Sequence, residues 1–215
     1  MKLENKTMLV YAVTDRTWLN ENTLEQQVEQ AIKGGATLIQ LREKELSYTA
    51  FLEQAIQLKK VTDKYHIPLI INDNVDVAKA VNAEGVHVGQ KDMETGVVRQ
   101  KLGENKIIGV SVQTVEQALL AQKQGADYLG VGAVFSTSTK LDASEVSFET
   151  LQKICDAVSI PVVAIGGINA QNIMQLKNSG IDGVAVVSAI FAQKDIIQAT
   201  KELTNLAKQI VSYCL

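Results

Sequence analysis

The feature that most narrows what this chain can become is a repeated alternation. A short apolar, β-type run is followed by a helical stretch, and the pair recurs about every 25 residues along the sequence. The runs fall at 8–13, 37–40, 69–71, 85–88, 106–111, 127–132, 162–165 and 183–188. The first helix is announced by Thr23-Leu24-Glu25-Gln26, a capping box, and closed by Gly34-Gly35. Further helices are expected over 48–65, 75–81, 96–102 and 114–124, through Leu151 and Ile154, and over 171–178 and 195–213. Strands that alternate with helices pair in parallel, because a parallel neighbour requires a crossover. Eight such units, with no Pro/Gly/Ser-rich linker in 215 residues, fit a compact (β/α)8 TIM barrel, a single α/β domain over 1–215. An open doubly wound sheet is the alternative, since periodicity alone does not decide closure.

Composition excludes several functions. With 46% hydrophobic side chains, the chain can bury a substantial core. A net charge of −3 argues against a general nucleic-acid binder. Two cysteines, Cys155 and Cys214, both in helical stretches, give no disulfide framework, and a reducing, cytoplasmic setting is expected. Two histidines, His66 and His87, make a zinc site of the usual kind unexpected. No run approaches a membrane span, and 1–7 has no signal-peptide core. The expected partners are therefore small molecules, with neither nucleic acid nor membrane; a homo-oligomer is left open.

Polar residues gather just after the strands. In a barrel all strand carboxyl ends open on one face, where active sites form. Gln40-Leu41-Arg42-Glu43-Lys44 continues a strand, so Gln40, Arg42 and Lys44 would share one face and Leu41 and Glu43 the other. Two cations that close call for an anion between them. Asp73 and Asp92 follow neighbouring strands, and paired carboxylates suit Mg²⁺, which keeps waters and completes its shell with phosphates. Each aspartate taken alone also reads as a helix cap. Gly166-Gly167 and Val187-Ser188, after the last two strands, read as backbone N–H groups at helix starts, a monophosphate site. The hydroxyl-rich stretch from Phe135 to Ser147 reads as a lid. His87, between two valines, reads as a core histidine pointing into the barrel, and His66 as exposed.

Taken together, Tyr11-Ala-Val-Thr-Asp15, Gln40-Leu-Arg-Glu-Lys44, Ile71-Asn-Asp73, Gly85-Val-His-Val-Gly-Gln90 with Asp92, Gly109-Val-Ser111, Thr137-Ser-Thr-Lys140, Ile165-Gly-Gly-Ile168 and Val187-Ser188 resemble the thiamine phosphate synthase family. The likeness runs in order over nearly the whole chain. It implies a Mg²⁺-dependent transferase joining an aminopyrimidine-methyl diphosphate to a thiazole phosphate, with diphosphate released. It places the pyrimidine diphosphate on Gln40, Leu41, Arg42, Glu43, Lys44, Asn72, Ser111 and Lys140, with Arg42, Lys44, Ser111 and Lys140 catalytic. Asp73 and Asp92 fall to the metal, and Thr137, Ser138, Thr139, Gly167, Val187 and Ser188 to the thiazole phosphate. Ser136, where many relatives have proline, and Gln113, where many have histidine, depart from the pattern. The implied chemistry needs no side-chain nucleophile or base, in keeping with a pocket read as lacking histidine and cysteine. Two rivals remain: a thiazole tautomerase of the same barrel superfamily, which needs an acid/base group near Ala133, and a non-catalytic thiazole- or thiamine-phosphate sensor, which could dispense with Asp73, Asp92 and Lys140.

Overall fold

The computed structural model describes residues 4–19, 21–137 and 145–211. Among these residues, eight strands close into one parallel barrel in sequence order. They are β1 (Val10–Val13), β2 (Leu38–Leu41), β3 (Leu69–Asn72), β4 (Gly85–Val88), β5 (Ile107–Val112), β6 (Tyr128–Val131), β7 (Val162–Ile165) and β8 (Gly183–Val186). The closing pair is β8 on β1, with Tyr11 opposite Ala185. The helices are α1 (Leu24–Gly34), α2 (Tyr48–Lys64), α3 (Val75–Ala80), α4 (Thr95–Leu102), α5 (Val115–Lys123), α6 (Phe148–Ala157), α7 (Ser188–Phe191) and α8 (Ile196–Ala207).

The strands are mostly apolar because both faces are buried, as parallel sheets require, with Gln40, Asn72, His87 and Ser111 as polar exceptions. Alternation then divides the core in two. Val10, Ala12, Ile39, Leu41, Leu69 and Ile71 face outward into the layer under the helices. Met8, Tyr11, Val13, Leu38, Ile70, Ile107, Tyr128, Val163 and Ala185 face inward and fill the barrel. The period of two therefore carries Gln40, Asn72, Ser111 and Val187 to the inner face at the carboxyl rim.

The expected capping box is present: Gln26 N donates to Thr23 Oγ1 at 3.3 Å, and Thr23 N to Gln26 Oε1 at 2.8 Å. Gly35 ends α1 with a left-handed φ of 109°, which a side chain would resist. One helix expectation fails and one helix ends earlier than expected. The stretch 171–178 forms only a single 3-10 turn, Ile173–Leu176. Asn169 and Asn172 hold the chain locally instead: Asn172 Oδ1 accepts from Asn169 N at 2.8 Å, Asn169 Oδ1 from Gln171 N at 2.9 Å, and Asn172 Nδ2 donates to Gly167 O at 2.9 Å. Such side-chain bonds compete with a helical ladder. The last helix, expected over 195–213, ends at Ala207, and a separate four-residue helix, α7, precedes it. Cys155 lies on α6 as expected, and burial pushes its thiol up to about 12; Cys214 falls outside the described residues.

Candidate active site

The second strand stops at Leu41, and Gln40 and Leu41 divide as the alternation implies. Gln40 points into the barrel, 4% exposed, and Leu41 packs under the helices. Glu43 places its carboxylate 2.8 Å from Arg16 Nε, and it borders the same cleft as Lys44 and Asp73. The anions that the two cations call for are, in part, carboxylates of the protein itself. Arg42 Nη1 lies 3.5 Å from Asp15 Oδ2, and Lys44 Nζ 2.6 Å from Asp73 Oδ2. Each cation carries its own carboxylate, so the repulsion is met inside the protein.

Asp73 and Asp92 come together from the ends of β3 and β4. Neither is a helix cap. Asn74 caps α3, its Oδ1 accepting from Val77 N at 3.0 Å, and Glu94 holds the N-cap position of α4. Asp73 has a left-handed φ of 59°, which aspartate tolerates better than most residues. Its N–H donates to His87 O at 2.8 Å, anchoring it to β4. Asp92 Oδ2 accepts from Gly89 N at 2.7 Å. Burial and then the facing Asp73 carboxylate hold the Asp92 pKa above its ordinary value, against the pull of the Gly89 N–H and of Lys44. Two facing carboxylates from neighbouring strands, with the Lys44 ammonium on Asp73, suit a divalent cation. Among the described residues no group of three or more His, Cys, Asp or Glu is placed to hold a metal ion. A hard ion that keeps waters and phosphate oxygens in its shell asks the protein for no more than one or two carboxylates. Beside it a cleft of about 390 Å³ is lined by Lys44, Asn72, Asp73 and Met93, among others.

On the opposite side of the ring lie the ends of β6, β7 and β8. Gly166 and Gly167 take φ of 102° and 65°. They are stitched to the loop after β6: Val134 N donates to Ile165 O at 3.0 Å and Phe135 N to Gly166 O at 3.1 Å. A Cβ on Gly167 would stand 2.4 Å from Ser136 O and 2.8 Å from Phe135 Cβ. The expectation that Gly167 opens a helix is wrong, since only the 3-10 turn follows. Ser188 does begin a helix, though of four residues, and is exposed. Thr137 is half-buried; Ser138, Thr139 and Lys140 lie outside the described residues, as does most of the expected lid. On the division of the rim that the family resemblance implies, Gly167→Ala is expected to weaken thiazole phosphate binding about tenfold and pyrimidine diphosphate binding less than about twofold, since the added Cβ meets Ser136 O and Phe135 of the β6 loop. Titration calorimetry with each ligand checks this, and equal losses would contradict the division of the rim.

His87 was read as a core residue, and it is 8% exposed. It is not remote from the chemistry, however. Its Nε2 is 2.8 Å from Ser111 Oγ and its Nδ1 2.9 Å from Tyr128 Oη. A histidine thus stands directly beneath a candidate site residue, which corrects the picture of a pocket without one. The missed signal was parity: His87 pairs with Gly109 on β5, placing Ser111 two residues further along the same inner face.

Polar and charged side chains gathered at the carboxyl rim of a closed (β/α)8 barrel, with Arg42, Lys44 and the Asp73–Asp92 pair among them, define the class: a barrel enzyme with its site at that rim. The sequence profile of the thiamine monophosphate synthase family matches residues 10–190. A thiamine-phosphate synthase of Ruminiclostridium cellulolyticum is 59% identical over 197 residues, 92% of this chain and 94% of that protein. That of Clostridium tetani is 54% identical over 205 residues, 95% of this chain and 98% of that one. The thiamine phosphate pyrophosphorylase of Pyrococcus furiosus superposes with a TM-score of 0.89 at 40% identity, covering 97% of this chain and 99% of that one. The chain belongs to the thiamine monophosphate synthase family, which makes it a transferase.

Proposed function

We propose that the barrel mouth condenses 4-amino-2-methyl-5-(diphosphooxymethyl)pyrimidine with 4-methyl-5-(2-phosphooxyethyl)thiazole, giving thiamine phosphate and diphosphate. The observation that carries this reading is the meeting of Asp73, Asp92 and Lys44 beside Arg42, opposite the Gly166-Gly167 turn. Asp73 and Asp92 would hold Mg²⁺, which when bound lends positive charge to the diphosphate. Arg42 and Lys44, joined by Lys140 on the strength of the family likeness, neutralise the charge that develops on the leaving group. Gln40, Asn72 and Ser111, on the inner face of the rim, orient the pyrimidine diphosphate. Leu41 and Glu43 serve it indirectly, Leu41 by packing and Glu43 by holding Arg16.

The C–O bond breaks with its electron pair leaving on diphosphate, and the aminopyrimidine ring stabilises the methyl cation that remains. The thiazole nitrogen, held through its phosphate by Thr137, Ser138, Thr139, Gly167, Val187 and Ser188, then supplies the pair for the new C–N bond. No proton needs to be removed, so no base is required. The tautomerase alternative gains nothing from the geometry. Ala133 is 4% exposed and pressed against Gly166, while His87 lies on the β4–β5 side of the ring, away from β7 and β8.

Among the described residues no helix is long and apolar enough to cross a membrane, and the enzyme is read as a cytoplasmic one acting on small molecules. Incubation with both substrates and Mg²⁺ tests the reaction: diphosphate and thiamine phosphate should appear together and stop with excess chelator. Binding of either ligand without turnover would favour the sensor reading, and turnover undiminished by chelation would remove the metal.

A further inference from the structure

Below the rim, a continuous chain of hydrogen bonds crosses the barrel interior from β2 to β5. Gln40 Nε2 donates to Tyr11 Oη at 2.5 Å, and Tyr11 Oη lies 2.8 Å from Tyr128 Oη. Tyr128 Oη is 2.9 Å from His87 Nδ1, and His87 Nε2 is 2.8 Å from Ser111 Oγ. Glycines make the room. A Cβ on Gly109 would stand 2.1 Å from Tyr128 Cζ, and one on Gly130 would stand 3.1 Å from His87 Cε1. Both ends of this chain, Gln40 and Ser111, are residues assigned above to the pyrimidine diphosphate.

The chain has a direction. Burial pushes both phenol pKa values well up, so each tyrosine keeps its proton and must place it. Tyr11 already accepts from Gln40, and Tyr128 Oη is the acceptor within its reach among the described residues. Tyr128 then gives its own proton to His87 Nδ1. A neutral imidazole that accepts at Nδ1 carries its proton on Nε2 and donates there to Ser111 Oγ. The opposite direction would leave the Tyr11 proton without an acceptor in a site 1% exposed, which burial penalises.

We propose that His87 is a positioning residue for the coupling reaction: its Nε2–H, held in that tautomer by the Tyr11–Tyr128 pair, occupies a lone pair of Ser111 Oγ and turns the serine proton outward to the pyrimidine diphosphate. This rests on the function proposed above. In this role His87 acts through Ser111 rather than on a reacting atom. A serine fixed as a donor at the leaving group stabilises charge without reorganising when the bond breaks.

The test has two arms. Only two histidines are present, so ¹⁵N-histidine labelling, with His66→Asn for assignment, reads the tautomer of His87 directly in the folded protein. A bare Nδ1 and a protonated Nε2 are expected, with Tyr128→Phe releasing the preference; the reverse tautomer overturns the proposal. In the second arm, His87→Gln can place an amide nitrogen where Nε2 stands, whereas His87→Asn reaches only the Nδ1 position. The glutamine variant should keep kcat within about tenfold, and the asparagine variant should lose about a hundredfold with KM for thiazole phosphate unchanged. The asparagine loss should vanish when Ser111→Ala is already present. Equal losses in the two variants of an active enzyme overturn the proposal alone. Absence of coupling by the unsubstituted protein overturns the assigned function, and the positioning role with it. Should neither variant fold, the tautomer measurement still decides.

Discussion

Asp92→Ala is expected to lower Mg²⁺-dependent kcat/KM by about a thousandfold while leaving the barrel folded. The size follows from what the carboxylate faces. Asp73 stands close enough to perturb its pKa, and a divalent ion between the two would hold the charge that a diphosphate ester must shed. The fold should tolerate the change. Asp92 is exposed, and the substitution loses one hydrogen bond, from Gly89 N, costing about 1 kcal/mol. The metal-free protein offers a further check. The Asp92 pKa is raised in the fold, so the folded state binds more protons than the unfolded one between the two values. Stability contributed by the protonated group is present below the unfolded pKa and declines as pH rises through the folded one. In chelator, thermal melting of Asp92→Asn should therefore lose part of the parent's decline over that acidic window. Activity indifferent to the substitution, at matched Mg²⁺, would show that the ion, if used, is held elsewhere.

The second large effect is expected at Arg42. Arg42→Ala should weaken pyrimidine diphosphate binding about a hundredfold and thiazole phosphate binding less than about threefold. Arg42→Lys should recover only part of the loss, because an ammonium cannot present the planar fork of a guanidinium. Structural collapse does not explain such a result in advance. The Arg42–Asp15 pair is 3.5 Å long and partly solvated, so losing it should cost no more than about 1 kcal/mol. Asp15 keeps a partner in Thr17 N, at 2.9 Å. Calorimetry with each ligand separates the outcomes, and comparable losses for both would erase the distinction between the two sides of the mouth.

Much of this was legible in the chain itself. Eight apolar runs, each followed by a helical stretch, implied parallel pairing and fitted a barrel better than an open sheet, while closure itself is a finding of the structure. A period of two, counted from Leu38, Ile70 and Ile107, sends Gln40, Asn72 and Ser111 inward. Position after a strand marked Arg42, Lys44, Asp73 and Asp92, because barrel topology brings every carboxyl end to one rim. The capping box at Thr23 was readable because its partners lie three residues apart.

What failed to show depends on residues distant in sequence. The stretch 171–178 is the local exception: Asn172 bonds back to Asn169 N and Gly167 O, and Asn169 to Gln171 N, in place of a helical ladder. The pairing of Arg42 with Asp15 and of Lys44 with Asp73 needs strands 27 and 29 residues away, so the sequence showed cations but not their counter-ions (42 − 15 and 73 − 44). Asp73 looked like a cap until Asn74 took that place. His87 looked inert because its partners, Tyr128 and Ser111, lie on neighbouring strands 41 and 24 residues further along. Sequence determined which side chains reach the inner face, since that is a matter of parity within one strand. The tertiary structure decided which of them meet, because register between strands and barrel closure are set by packing across the whole ring, and hydrogen bonds form only between atoms that packing has brought within about 3 Å.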